Sequence, residues 1–153
     1  MAQFYKEFFG LIGRVLKLGL KMAIMGFLWV YQLPQNLLAL LLIKIFECYE
    51  VPLMKADGSM VWFFSGRLPF PFSAISLGEY IIFDFRILNN MERIFKHEAG
   101  HRIQSRILGP AYLFIIGLFS SLWALLYKRL RLRCSYYCFP TEKNADFFGG
   151  VKR

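Results

Sequence analysis

The sequence predicts an α+β domain carried on a membrane. Three features point there: two long runs without a charge, a stretch between them patterned for strands, and a polar, capped helix just before the second run. The chain has 153 residues, read as a single membrane-associated domain over 1–153. Hydrophobic residues make up 57% and aromatics 18% of it, and mean hydropathy is +0.43. Seventeen Phe and eight Tyr exclude a disordered chain. The charged fraction of 19% is low for a soluble domain of this size.

Residues 3–20 open the chain with apolar side chains at helical spacing, and Lys6, Arg14, Lys17 and Lys21 on the other side. That pattern predicts an interfacial amphipathic helix. It leads into the first uncharged run, 22–43, a membrane segment of about the length that crosses hydrocarbon. Pro34-Gln35-Asn36 interrupts this run with a helix breaker and with polarity at depth. The run is either one kinked span or two short arms that dip in and return. The second keeps every basic segment on the cytoplasmic side.

The stretch 51–86 predicts a small antiparallel sheet. Asp57-Gly58 is a tight-turn signal between Val51–Lys55 and Met60–Phe64. Residues 68–72, Leu-Pro-Phe-Pro-Phe, form an extended aromatic loop. Residues 74–83 are rich in β-branched and aromatic residues around Gly78, and read as one bulged strand or two short ones. Trp62, Phe63, Phe64, Phe70 and Phe72 are candidates for an apolar cleft, or else core and membrane anchors.

A helix follows over 90–108. Asn89 with Glu92 makes a capping box, and Gly109-Pro110 ends it. The second uncharged run is 107–127, with Gly117, Ser120 and Ser121 near its middle. A basic, then aromatic tail leads to a short helix over 140–148.

The excess of 19 Lys+Arg over 10 Asp+Glu fits anionic lipid headgroups. No nucleic-acid motif accompanies it, so no nucleic-acid partner is expected. Cys48, Cys134 and Cys138 are odd in number. The C-x-x-x-C spacing of the last two matches neither a redox nor a zinc-ribbon pattern, so they read as buried or lipid-facing thiols.

His97-Glu98-Ala99-Gly100-His101 places two imidazoles one helical turn apart on one face, where both can grip a zinc ion. Glu98 beside them is the candidate catalytic base, able to take a proton from a zinc-bound water. These are the only two histidines in the sequence, and both fall in the motif. Glu142 and Asp146, one turn apart in the last helix, supply a candidate third ligand and an acceptor that would orient a ligating imidazole. The bland alternative is a chance H-E-x-x-H and a solvated acidic face.

H-E-A-G-H followed by Glu142-Lys-Asn-Ala-Asp146 resembles the gluzincin membrane metallopeptidases of the HtpX and CAAX-prenyl-protease type. The stretch His-Glu-x-Gly-His-x-x-Gln-Ser with Leu108-Gly-Pro-x-Tyr112 also resembles short bacterial membrane proteins. The resemblance covers mainly residues 90–150. It implies a minimal zincin-like core (a small antiparallel sheet, the H-E-x-x-H helix and the Glu helix) with membrane-embedded or re-entrant helices. It also implies zinc held by His97, His101 and Glu142, with Glu98 as base and Asp146 behind the ligands. The large members place two spans between H-E-x-x-H and the Glu; here there is one uncharged run. If Glu142 meets the histidines, a straight span over 107–127 would leave it about 30 Å away. That run is therefore expected to be re-entrant, bent near Gly117–Ser121, or to lie along the interface, with the site on the cytoplasmic face.

The expected activity is zinc-dependent hydrolysis of peptide bonds in membrane-associated peptides or proteins. Candidate oxyanion donors are Tyr112, Tyr136, Tyr137 and Arg102. By resemblance, the strand carrying Ile75, Leu77 and Ile81 is the edge on which substrate would lie. The rival readings are a small basic membrane protein with an incidental or structural metal site, and a metal-bound module without activity.

Overall fold

The computed structural model describes residues 2–51, 62–69, 72–86, 91–131 and 133–152. The expected Asp57-Gly58 turn, the Asn89 cap and Phe70 lie outside those residues, as do the side chains of Trp62 and Phe63. Within them the fold is α+β, with five helices around a four-stranded sheet.

Helix α1 (Ala2–Tyr31) runs for 30 residues, about 45 Å, straight through the boundary between the amphipathic segment and the first uncharged run. The chain breaks at Gln32, and α2 (Leu33–Ile45) begins with Pro34 in its first turn. Proline there starts a helix instead of breaking one, because its missing N–H would have had no helical partner. The first run is thus two helical arms joined at Gln32.

The sheet has strand order β1 (Tyr49–Glu50), β2 (Trp62–Gly66), β4 (Tyr80–Asp84), β3 (Ala74–Leu77). It is mixed, not antiparallel throughout: β1 is antiparallel to β2 and β3 to β4, but β2 and β4 run parallel. The cause is topological. After β2 the chain passes to the far edge to form β3, then hairpins back so that β4 enters between them. The hairpin has a two-residue loop, Gly78-Glu79, with Leu77 opposite Tyr80. Gly78 takes φ +60, as a type II′ turn requires at its first position, and a side chain there would strike Asn36.

Every residue of β4 is buried. Tyr80 joins Ala39 of α2 with Tyr112 and Ile116. Ile81 and Phe83 turn the other way, onto Met91 and Phe95 of α3 (Met91–Leu108). Alternation along one strand therefore binds the sheet to α2 on one face and to the H-E-x-x-H helix on the other. Ile81 does not belong to a substrate edge, since β4 is paired on both sides.

Polar pegs fasten the arms. Gln32, Gln35 and Asn36 are fully buried. The Asn36 amide donates to Trp29 O at 2.8 Å and accepts from the Glu79 N–H at 3.0 Å. Gln32 donates to Glu79 at 2.9 Å. Glu79 in turn accepts from both Arg102 and Arg106. The polar break in the first run is thus the socket for the β-hairpin and α3.

The second run departs from expectation. The chain turns at Gly109, φ +52, into a 3-10 turn over Gly109–Ala111. A π-helical stretch, Leu113–Gly117, then continues directly into α4 (Leu118–Leu130). Gly117 has φ −56 and ψ −49, ordinary helix, and the helix runs on through Ser120 and Ser121 without a break in assignment. Among the described residues one helix, Leu113–Leu130, is long and apolar enough to cross a membrane. After α4 the chain reverses at Arg131, φ 48, and ends in α5 (Pro140–Gly149), which packs along α3.

Candidate metal centre

Helices α3 and α5 meet at backbone distance. A side chain on Gly100 would collide with the carbonyl of Ala145, so glycine between the two histidines lets the helices close. That contact brings Glu142 and Asp146 of α5 over the two imidazoles. His97, His101 and Glu142 are all buried, and their ligand atoms lie within 4.8 Å of one another.

Glu142 Oε2 lies 3.1 Å from His97 Nε2 and 3.7 Å from His101 Nε2. A tetrahedral ion at about 2.0–2.1 Å from each ligand would set such atoms roughly 3.3–3.4 Å apart, and the two distances from Glu142 bracket that value, so the three groups could hold a metal ion. Both histidines are oriented from behind. His97 Nδ1 donates to Asp146 Oδ1 at 2.8 Å. His101 Nδ1 donates to Gln104 Oε1 at 2.7 Å. Gln104 is fixed in that sense because its amide nitrogen donates to Thr141 O at 3.0 Å and Asn144 Oδ1 at 2.9 Å. Each Nε2 thereby faces the common point.

The charges agree with a site built for a cation. Burial would raise the Glu142 carboxyl, but bonds from His101, His97 and Ser120 outweigh it and hold the group well below the usual carboxylate range. Burial would lower the His97 imidazole, yet its bond to Glu142, the charge of Glu98 and its bond to Asp146 push it up to about 9. Three carboxylates thus surround two imidazoles, an excess of negative charge. Burial pushes the Glu98 carboxyl up, with the two histidines opposing.

Beside this cluster lies a cavity of about 310 Å³. Its walls are β3, Ile94 and Glu98 of α3, the small-residue face of α4 (Gly117, Ser120, Ser121, Ala124), and Tyr136 and Tyr137. Phe72 lines it too, while Phe64 packs in the core against Tyr80.

The four expected oxyanion donors diverge. Arg102 is bound to Glu79 at 2.6 Å, on the hairpin. Tyr112 gives its hydroxyl proton to Ser76 O at 3.1 Å. Tyr112 also lines the cavity. Tyr136 bonds Glu142, and its hydroxyl is held protonated, first by burial and then by the charges of Glu142 and Glu98. Tyr137 sets its ring edge-on to His97, centroids 5.3 Å apart.

The edge strand is β3, and its free side is unpaired among the described residues. Leu77 and Tyr80 flank the two-residue loop as a hydrogen-bonded pair, so Ile75 and Leu77 direct their backbone groups into β4. Ala74 and Ser76 face the free side, as the Tyr112 bond to Ser76 O requires. On that side the carbonyl of Ser76 is already taken by the Tyr112 hydroxyl.

Gln104 was not among the sequence candidates. Its signal was present, three residues after His101 on the same helix, but its role depends on α5. No family model, no curated protein and no solved structure matches the chain.

Proposed function

We propose that this chain is a membrane-associated zinc metallopeptidase of the gluzincin type, acting on membrane-embedded or membrane-adjacent polypeptides. One observation carries the proposal: the ligand atoms of His97, His101 and Glu142 converge within 4.8 Å of one another, and Glu98 stands beside them on the wall of a cavity. A structural site has no need of that cavity or of a carboxylate that is not among the ligands.

Bound zinc would supply Lewis acidity toward a carbonyl and would lower the pKa of a water in the open position. His97, His101 and Glu142 would hold it, with Asp146 and Gln104 keeping the rings aimed. Glu98 takes a proton from the attacking water and returns it to the departing amine. Burial suits it to both tasks, because its raised carboxyl pKa lies closer to neutrality.

The membrane assignment rests on exposed apolar side chains. On α2 these include Leu33, Leu37, Leu40 and Leu41; on the π-helical stretch Phe114, and on α4 Leu118, Phe119 and Leu122. Helix α1 adds Phe8, Phe9, Leu16 and Leu20. So much contiguous apolar surface matches lipid better than water. Arg129 in the last turn of α4, with Arg131 and Arg133 beyond it, suits anionic headgroups on the cytoplasmic face.

The test is proteolysis of a peptide library by zinc-loaded protein in lipid nanodiscs. Wild type cuts peptides; Glu98→Gln retains zinc and loses cleavage by at least a hundredfold. Equal cleavage by the variant would eliminate this mechanism.

A further inference from the structure

Three buried side-chain atoms among the described residues have no hydrogen-bond partner: Gln32 Oε1, Gln35 Oε1 and Ser76 Oγ. The first two sit in the polar socket between the arms and the hairpin. Of the three residues only Ser76 lines the cavity, with its Oγ itself buried. A buried hydroxyl without a partner is costly and uncommon, and at a cavity wall it marks a bond that is completed by something else.

The direction of that bond follows from the register. Ser76 stands opposite Ile81 across the β3–β4 ladder. Directly opposed residues share a face of the sheet. Ile81 packs onto α3, so Ser76 also faces α3, the helix that carries His97, Glu98 and His101. The position is held firmly, because Tyr112 anchors the carbonyl of the same residue. Ser76 therefore combines a free-side backbone with a hydroxyl turned toward the metal centre.

We propose that Ser76 is a substrate-binding residue, whose Oγ donates a hydrogen bond to a main-chain carbonyl oxygen of a peptide lying in the cavity between β3 and α3. This rests on the peptidase reading and adds the group that holds the peptide beside Glu98. The hydroxyl is buried without a protein partner, so once the side chain turns about its Cα–Cβ bond the new bond displaces no competing protein contact. It selects for an extended backbone and is indifferent to side-chain identity.

Ser76→Ala separates substrate binding from a structural role. Removing an unsatisfied buried hydroxyl leaves the fold as stable as before, or more so. The probes are acetohydroxamate, which needs only the metal, and a peptidyl hydroxamate, which also needs the peptide cleft. Both are titrated against zinc-loaded wild type and Ser76→Ala in nanodiscs. The expected result is an unchanged or raised Tm, equal acetohydroxamate affinity, and peptidyl hydroxamate affinity about tenfold weaker in the variant. Unchanged peptidyl hydroxamate affinity would overturn the role of Ser76 and leave the metal centre standing. A Tm lower by several degrees with both probes weakened alike would make Ser76 structural. If neither probe binds the wild type, both the peptidase reading and the role of Ser76 fall.

Discussion

Ser120 of α4 and Thr141 of α5 share a hydroxyl–hydroxyl hydrogen bond of 2.9 Å. Glu142 therefore lies beside the middle of the apolar helix, not beyond its end. The returning chain is stapled to the helix along its length. Tyr127 donates to Cys134 O at 2.8 Å, and Trp123 to Tyr136 O at 2.7 Å. Arg131 begins the reversal and the segment retraces about three turns of α4. A continuous apolar helix over Leu113–Leu130 and the meeting of Glu142 with the two histidines are thus compatible.

Trp123 is the central staple, since its ring also stacks on Phe139 with centroids 4.8 Å apart. Trp123→Ala is expected to cost about 2 kcal/mol of stability and to weaken zinc binding, because Glu142 follows three residues after Phe139. Thermal unfolding and competition with a chelator would measure the two effects together.

Gln104→Ala removes the acceptor behind His101 while sparing every metal ligand. Zinc affinity should fall about tenfold to a hundredfold, as for other groups that orient a ligating imidazole. Asp146→Asn should act alike through His97. Chelator competition would detect both, and circular dichroism should show the helices unchanged.

The imidazole of His97 is pushed up to about 9 in the metal-free protein. At pH 7.5 it carries a proton on Nε2 that a metal must displace. Binding should release about one proton, and affinity should rise about tenfold per pH unit until about pH 9. Calorimetry in two buffers of different ionisation enthalpy would count the proton.

Glu79 ties Gln32, Arg102 and Arg106 together. Burial raises its carboxyl, but the bond from Arg106, the charge of Arg102 and the bond from Gln32 outweigh this and hold it below its ordinary value. A depressed folded pKa means stabilisation that is complete above the unfolded value of about 4.3 and lost as pH falls through the folded one. Glu79→Gln should cost about 3 kcal/mol near neutrality, leaving the buried Arg102 without its partner. The variant should also lose less stability than wild type between pH 5 and 3. Thermal melts across that range would show it.

Much of this arrangement was legible in the residues. His97, His101, Glu142 and Asp146 stand at one-turn spacings, which any helix turns into shared faces, and the structure brings the four together. Position does not establish role, but the local signal was enough to find them. What escaped reading was non-local. The parallel β2–β4 pair arises from the order in which strands enter the sheet. Pro34-Gln35-Asn36 read as a flaw in a membrane segment because its partners, Glu79 and Ser105, lie far along the chain. The chain reversals that flank the second run use the positive φ of Gly109 and Arg131, which no local pattern in the sequence announced. Ser76 carried no signal at all, since an orphaned hydroxyl exists only once its surroundings are packed.

The most direct measurement is the zinc content of the protein purified from membranes, compared with Glu142→Ala and Glu98→Gln. One zinc per chain, lost in Glu142→Ala and kept in Glu98→Gln, is the expected result. Metal content that ignores the loss of Glu142, or no bound metal in the wild type, would contradict a centre shared by α3 and α5.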